Sequence, residues 1–404
     1  MKFDYENAAT RQCALEELCS LWNPERTIEH VSLDKAFGRT TAKDACALHD
    51  LPVVKSSKYD GIAVKSADFA GTLPCTDGWL RNVDFSQADT GDDFADDFDA
   101  VIARERFEFN EKGEPVFAED LGPVAAGDGV NPRGSIIKAG QPILPTGCRL
   151  TPEYVALCAV GGMATIPVVR KPIVAFLPTG SELVPWGSIP GRGQNIEANS
   201  LMIRGYVEEW GGECITYPIT PDEPKALEAM LDRALGTVDI VIVNGGSSRG
   251  EEDYVSRMLQ RRGSYFRHGV RTIPGRPVGM SIMEGKPAIN MPGPIGAAFI
   301  CCDWLIRGLV AHYLNAPNPP RPMVAAELTH DVKKMKPFER LMRVTIGIRD
   351  DGTFTCTPLD ADNVARNIFE SDGMALLPIG LDAVKAGTRI EVSLLKPIEV
   401  IRHT

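Results

Sequence analysis

The stretch from Ile173 to about Ala298 constrains the fold most, because it repeats one unit. A short apolar run stops abruptly in glycine and small hydroxyl residues, and a helical stretch follows. The first run, Ile173–Pro178, leads into Thr179-Gly180-Ser181-Glu182-Leu183. The second, Asp239–Asn244, leads into Gly245-Gly246-Ser247-Ser248-Arg249-Gly250 and then Glu251 to Tyr254. Between them lie a helical stretch (Ala198–Trp210), an apolar strand (Cys214–Ile219) and another helix (Glu223–Leu235). Such runs have strand length. Strands alternating with helices predict a mostly parallel sheet with crossover connections. Ligands bind outside the carboxyl ends of such strands, where both loaded loops fall. The active site is expected there.

With 404 residues the chain exceeds one ordinary core and predicts several domains. The formal net charge of -11 argues against a nucleic-acid binder, which normally carries a basic face. It leaves room for a small anion held by glycine amides and arginine. The ten cysteines form no C-x-x-C pair and no metal-ligand spacing, so free thiols in a reducing cytosol are expected. The opening MKFDYENAATRQ has no apolar core of a signal peptide. No apolar run is read as reaching the length of a membrane span. A cytoplasmic protein without membrane or nucleic-acid partners is the expectation.

Outside the central stretch, Asn7–Leu21 and Ser32–Phe37 read as helices, the second ending at Gly38. Ser56 to Gly61 is a polar turn entering a strand at Ile62–Val64, and Asp60-Gly61 is a common turn pair. Gly71 to Gly129 is β-like, with five aspartates between Asp92 and Asp99 that read as a solvated loop. Thr151–Val160 reads as a capped helix, and Ile295–Leu314 as the last helix of the α/β unit. Proline density at Asn315–Pro322 marks a linker. MRVTIGI, TFTCTPL, MALLPIG and TRIEVSLL then read as short strands, with a hairpin turn at Asp350-Asp351-Gly352. The fold class expected is multidomain α/β plus β. An elongated helical and mixed domain takes residues 1–50 and 131–170, and a β-rich domain is inserted at 51–130. A central α/β domain spans 171–316, and a small barrel-like β domain spans 317–404.

The loops carry the chemistry. Glycines at Gly245, Gly246 and Gly250 let backbone N–H groups approach an anion, with Ser247 and Ser248 adding donors and a helix N-terminus following. A tight strand-to-helix turn uses the same residues. Thr179 and Gly180 lie on the same expected edge. Glu182, Asp253 and Glu251 are candidates to share a magnesium ion, since hard cations take oxygen ligands; each serves equally as an acid at a helix N-terminus. A third loop, Ile273-Pro274-Gly275-Arg276-Pro277, offers Arg276 for anion recognition, and a fourth is Met291-Pro292-Gly293-Pro294. No G-x-S-x-G, H-E-x-x-H or Walker A lysine loop is present, and none of the six histidines is assigned a role.

Taken in order, these motifs resemble the molybdopterin molybdenumtransferase family, of the MoeA type and the gephyrin E domain. The resemblance runs from DKAFGRTTAKDACALHDLP and SSKYDGIAV through ADTG, FDAVI, PRG and KAG. It continues in LPTGSEL, VNGGSSRGEEDYV, IPGRPVG, NMPG and the β-rich tail. It implies four domains, the central one MogA-like and molybdopterin-binding, in an elongated homodimer with sites shared between subunits. It implies that adenylated molybdopterin and molybdate bind as substrates, that the adenylate is cleaved with magnesium, and that molybdenum enters the dithiolene. It implies contact with the molybdopterin adenylyltransferase and with acceptor molybdoenzymes. By motif, Asp60 and Thr90 take the place of residues supplied across the dimer interface, and Glu182, Asp222 and Asp253 that of the functional acids. Arg276 stands for the second lysine of K-P-G-K-P, and Arg343 for an arginine of the C-terminal domain.

The departures from the family pattern cluster in the same loops. T-G-D-E-L has Ser181 for its aspartate, and K-P-G-K-P has Ile273 for its first lysine. P-G-N-P-V-S reads Pro292 to Ala297, R-G-E-D reads Arg133 to Ile136, and M-D-G-Y reads Tyr59 to Ile62. Arg366 and Asn367 stand where the family has serines. Three functions follow as alternatives: an active insertase, a diverged module that binds the pterin without insertion, and a dimeric scaffold.

Overall fold

The computed structural model describes residues 8–246, 254–333, 336–359 and 363–401. The chain divides into two compact units, one of residues 28–169 and one of 1–27 with 170–404.

The larger unit contains the sheet expected from the sequence. Its six strands run Glu213–Thr216, Ile173–Pro178, Ile240–Asn244, Lys286–Met291, Gly279–Met283 and Tyr265–His268 across the sheet. The first four are parallel, the fifth runs antiparallel to them, and the sixth pairs antiparallel with the fifth. The central strands read as continuous apolar runs because helices cover both faces. On one side Ala175, Leu177, Val241 and Val243 pack against Leu227 and Leu231 of helix Pro224–Leu235 and Met258 and Leu259 of helix Tyr254–Arg262. Helices Asn199–Glu209 and Ile295–Cys301 pack together elsewhere on this domain.

The helix expected over Ile295–Leu314 is continuous in path, with a π-helical turn at Cys302–Ile306 and Asn315 in the left-handed conformation at its end. By length and composition it is apolar enough to cross a membrane, at a mean hydropathy of 1.4, which corrects the expectation that no run reaches that length. Leu305, Ile306, Leu309, Val310 and Tyr313 are 0% exposed, so here it is a core helix. The opening helix begins later than expected, at Arg11, capped by Thr10. It belongs to this unit, with Leu15 filling the space left by Gly308 and Arg26 donating to the carbonyls of His312 and Tyr313.

The C-terminal strands close on themselves. Glu339–Ile348, Phe354–Pro358, Met323–Leu328, Arg389–Leu394 and Gly373–Leu377 pair in that order, and the last pairs again with the first. Ala326, Val344, Ile346, Cys356, Ala375 and Val392 fill this small closed barrel. The hairpin expected at Asp350–Gly352 joins its first two strands. Thr272–Ile273 runs parallel to Glu339–Arg340 and ties the third loop to the barrel.

The smaller unit holds three hydrophobic clusters among the described residues. One packs Ala36, Leu144, Leu150, Val155, Ile166 and Val168, with helix Pro152–Val160 capped by Thr151. The helix expected at Ser32–Phe37 is only a 3-10 turn, Leu33–Lys35. Gly38, at φ +71°, turns the chain away before an α-helix is established. A second is built on strands Phe85–Ala88, Gly61–Val64 and Ala100–Ala103 and is rich in aromatics, and the third packs Ala63, Phe94, Phe98, Val101 and Val130 on the same sheet. Asp92, Asp93, Asp96 and Asp97 are exposed as expected. Asp99 instead accepts from the Ser66 amide and hydroxyl, both at 2.7 Å.

Candidate functional site

Register decides the site. Pro178 pairs with Asn244 and Asn244 with Met291, so three neighbouring strands end level. Thr179, Gly245 and Pro292 therefore open three adjacent loops. The Thr179 amide donates to the Asn244 carbonyl, and that of Gly245 to the Met291 carbonyl, both at 3.0 Å. Gly245 has φ +127°, and a Cβ there would stand 2.4 Å from the Thr179 carbonyl oxygen and 2.6 Å from its Oγ1. Only glycine lets these loops approach so closely. Gly246, at φ +59°, lies against Val255.

A buried amide network fixes the edge. Asn199 Nδ2 donates to Asn244 Oδ1 at 2.8 Å and to the Gly293 carbonyl at 2.7 Å. Asn244 Nδ2 donates to the Pro292 carbonyl at 2.9 Å. Asn290 Nδ2 donates to Ser256 Oγ at 3.1 Å. Glu197 accepts from the Ser200 amide and hydroxyl. Thr179 Oγ1 and Asn290 Oδ1 are buried here without a hydrogen-bond partner among the described residues. The sequence reading missed Asn199, Asn244 and Asn290. Asn244 alone had a signal, an amide closing the apolar run Asp239–Asn244.

Of the expected acids, Glu182 and Asp222 are both exposed. Asp222 reaches the first loop: the Ser181 amide donates to its Oδ2, and its own amide donates to Ser181 Oγ, each at 3.4 Å. The Glu182 carboxylate folds back beside Gly180, where a Cβ would lie 2.7 Å from its Oε2. Two carboxylates on one edge suit magnesium, which keeps waters and takes one or two protein carboxylates with substrate phosphates. No cluster of three potential metal ligands occurs among the described residues. Asp253, Ser247, Ser248 and Gly250, with Arg249 and Glu251, lie outside the described residues.

The third and fourth loops meet at a cavity of about 530 Å³, lined by Ile273, Pro274, Pro294, Ala297 and, from the barrel, Arg343. Gly275 packs on Cys301, whose thiol donates to its carbonyl. The Arg276 guanidinium lies over Phe338, 5.9 Å from the ring centre. Arg343 lies over Phe299 at 4.2 Å and donates from Nη1 to Ser371 Oγ at 2.9 Å. Burial lowers its pKa from the usual arginine value. Burial also pushes the Cys301 thiol up to about 12, so that thiol is no nucleophile.

In the smaller unit Asp60 and Thr90 are brought together. The Thr90 hydroxyl and amide both donate to Asp60 Oδ1 at 2.7 Å and hold its carboxyl below the usual carboxylate range. Gly61 is more than a turn residue, since a Cβ there would fall 2.0 Å from the Ile102 carbonyl oxygen.

A parallel sheet with glycine loops at its carboxyl edge, followed by a small closed barrel, defines a multidomain protein built around a molybdopterin-binding type of α/β domain. Residues 175–312 match the family described as a probable molybdopterin binding domain, and residues 8–162 match the MoeA N-terminal region (domain I and II). The molybdopterin molybdenumtransferase of Bacillus subtilis is 25% identical over 402 residues, covering 95% of this chain and 93% of that protein. The Staphylococcus epidermidis protein of that name is 26% identical over 383 residues, 90% of each. Two solved molybdopterin biosynthesis MoeA structures from Pyrococcus horikoshii cover 97% and 96% of this chain and all of theirs. Their TM-scores are 0.80 and 0.76, at 25% and 22% identity. The chain belongs to the MoeA-type molybdopterin molybdenumtransferase family.

Proposed function

We propose that this protein is a molybdopterin molybdenumtransferase, acting in molybdenum cofactor biosynthesis on adenylated molybdopterin and molybdate. The observation that carries the reading is the level edge at Thr179, Gly245 and Pro292, where a glycine backbone packs on a buried hydroxyl that lacks a partner among the described residues. Such an edge suits a phosphate-bearing ligand, because glycine loops open there at the carboxyl ends of parallel strands, while the amides of Thr179, Gly180 and Gly245 fix the loops by donating to the carbonyls of Asn244, Thr220 and Met291. Thr179, Gly180, Gly245 and Gly246, with Ser247, Ser248 and Gly250, would bind the pyrophosphate. Pro274, Gly275, Arg276, Pro292, Gly293 and Arg343 would border the rest of the substrate.

Glu182, Asp222 and Asp253 would hold magnesium. When bound, the ion supplies neutralisation of charge on the phosphate being cleaved. Asp60 and Thr90 would come from a second subunit, Asp60 staying ionised through its two bonds from Thr90. A homodimer, exchange with the molybdopterin adenylyltransferase and acceptor molybdoenzymes, and a cytoplasmic setting belong to the same proposal.

The test is magnesium-dependent AMP release from adenylated molybdopterin by the purified chain, with and without molybdate. Molybdate-stimulated release is expected, and Asp253→Ala should abolish it; unchanged turnover would remove Asp253 from the mechanism. A second reading, a pterin-binding module without insertase activity, is favoured by Ser181 in place of an acid and by Arg276 lying over Phe338. Tight pterin binding without AMP release would select it.

A further inference from the structure

The cavity beside the sheet edge is made of different material from the edge itself. Its 530 Å³ falls within the range of about 300–1,000 Å³ for small-molecule sites. Ile273, Ala297, Ile300, Phe338, Leu359 and Ile368 give it walls of carbon. Arg343 also lines it, with one face covered by Phe299 and Nη1 occupied by Ser371 and the Asn367 carbonyl. Its Nε and Nη2 are the donors left over among the described residues. Lys333 and Arg340 border the same cavity, Arg340 donating to the Lys333 carbonyl. Glu339, the acid among the lining residues, is neutralised by Arg11 at 2.7 Å. The cavity is therefore apolar with a cationic bias.

A small tetrahedral dianion matches it poorly. Such an ion gives up hydration on every side, and carbon walls return no hydrogen bonds. One guanidinium edge offers donors in one direction only. An apolar body with a single anionic end meets both features, hydrocarbon against the walls and the anion on the free fork of Arg343. We propose that this cavity is a binding site for an apolar organic monoanion, an aromatic or hydrocarbon body bearing one carboxylate or sulfonate, and not for an inorganic oxyanion. The site adjoins the sheet edge through Gly293 and Pro294, so an occupant sits next to the carbonyl that Asn199 holds. The inference shares Pro274 and Arg343 with the proposed substrate border, and its test reads binding without nucleotide or pterin, so its failure and that of the insertase reading are distinguishable.

The probe is anilinonaphthalene sulfonate, with uncharged phenylnaphthylamine as its counterpart, titrated into the full chain and followed by fluorescence. One saturable site per chain is expected for each. Ala297→Trp and Ile368→Trp insert an indole from the α/β side and the barrel side, and each should weaken both probes at least about ten-fold. Ile368 is 44% exposed, so its variant keeps the test open if Ala297→Trp does not fold. Arg343→Met should weaken the sulfonate about ten-fold and leave the amine nearly unchanged. Millimolar molybdate should displace neither. Full binding in both tryptophan variants would place the probes elsewhere and overturn the proposal. Displacement by molybdate, or equal loss of both probes in Arg343→Met, would overturn it too.

Discussion

The carboxyl edge of the parallel sheet and the barrel cavity adjoin in one compact unit, yet opposite chemistry builds them. At the edge, asparagine side chains hold backbone carbonyls, and a glycine sits where any Cβ would collide. In the cavity, carbon side chains surround the guanidinium of Arg343, whose ring partner and hydroxyl acceptor are already in place. The edge is closely packed and rigid in its hydrogen bonding; the cavity is open volume. The edge is built from bonded backbone and amide groups, whereas a carbon cavity selects for shape and apolar area.

The comparison can be broken at its most rigid point. Gly245→Ala should cost about 3 kcal/mol in urea unfolding, from a strained backbone and a Cβ driven into Thr179. Wild-type stability there would mean that the loops do not approach as described. Asn244→Leu should cost about 1–3 kcal/mol, because it strands Asn199 and the Pro292 carbonyl. A double-mutant cycle with Asn199→Leu should show coupling, and strict additivity would argue against a shared network. On the cavity side, Phe299→Leu should cost about 1–2 kcal/mol through the lost contact with Arg343.

Thr179→Val sharpens the functional contrast. Its hydroxyl has no partner among the described residues, so stability should stay within about 1 kcal/mol of wild type. KM for adenylated molybdopterin should rise about ten-fold, and an unchanged KM would make the hydroxyl a bystander. The smallest effect is a titration. Asp60 has a depressed pKa, so its contribution to stability is present above the unfolded value of about 3.9 and is lost as pH falls through the folded value. Thr90→Ala should return the Asp60 titration, followed by NMR, towards the ordinary range.

Much of the α/β domain was legible because strands buried on both faces must be apolar throughout, as Ile173–Pro178 and Ile240–Asn244 are. Helix Pro152–Val160 was legible because its cap is local, a threonine accepting from the amide three residues on. The turn at Leu33–Lys35 was not, since its residues fit a helix and only Gly38 and the neighbouring strand cut it short. The barrel-like domain was expected, but the strand pairing that closes it was not legible locally. Gly373–Leu377 pairs with Glu339–Ile348 and with Arg389–Leu394, and no local pattern specifies two partners. In the site, Gly245 and Thr179 announced themselves as loop residues at strand ends. Asn199 and Asn290 did not, because an asparagine in sequence reads as a turn or surface residue until register buries it.

The sequence by itself therefore determined the elements and the loops: apolar period, glycine position and capping residues act over a few neighbours. Tertiary structure alone decided what those loops face. The level ends at Pro178, Asn244 and Met291, the amides that lock them, and the carbon walls around Arg343 all arise from residues far apart in the chain. Their chemistry exists only once long-range pairing has brought them together.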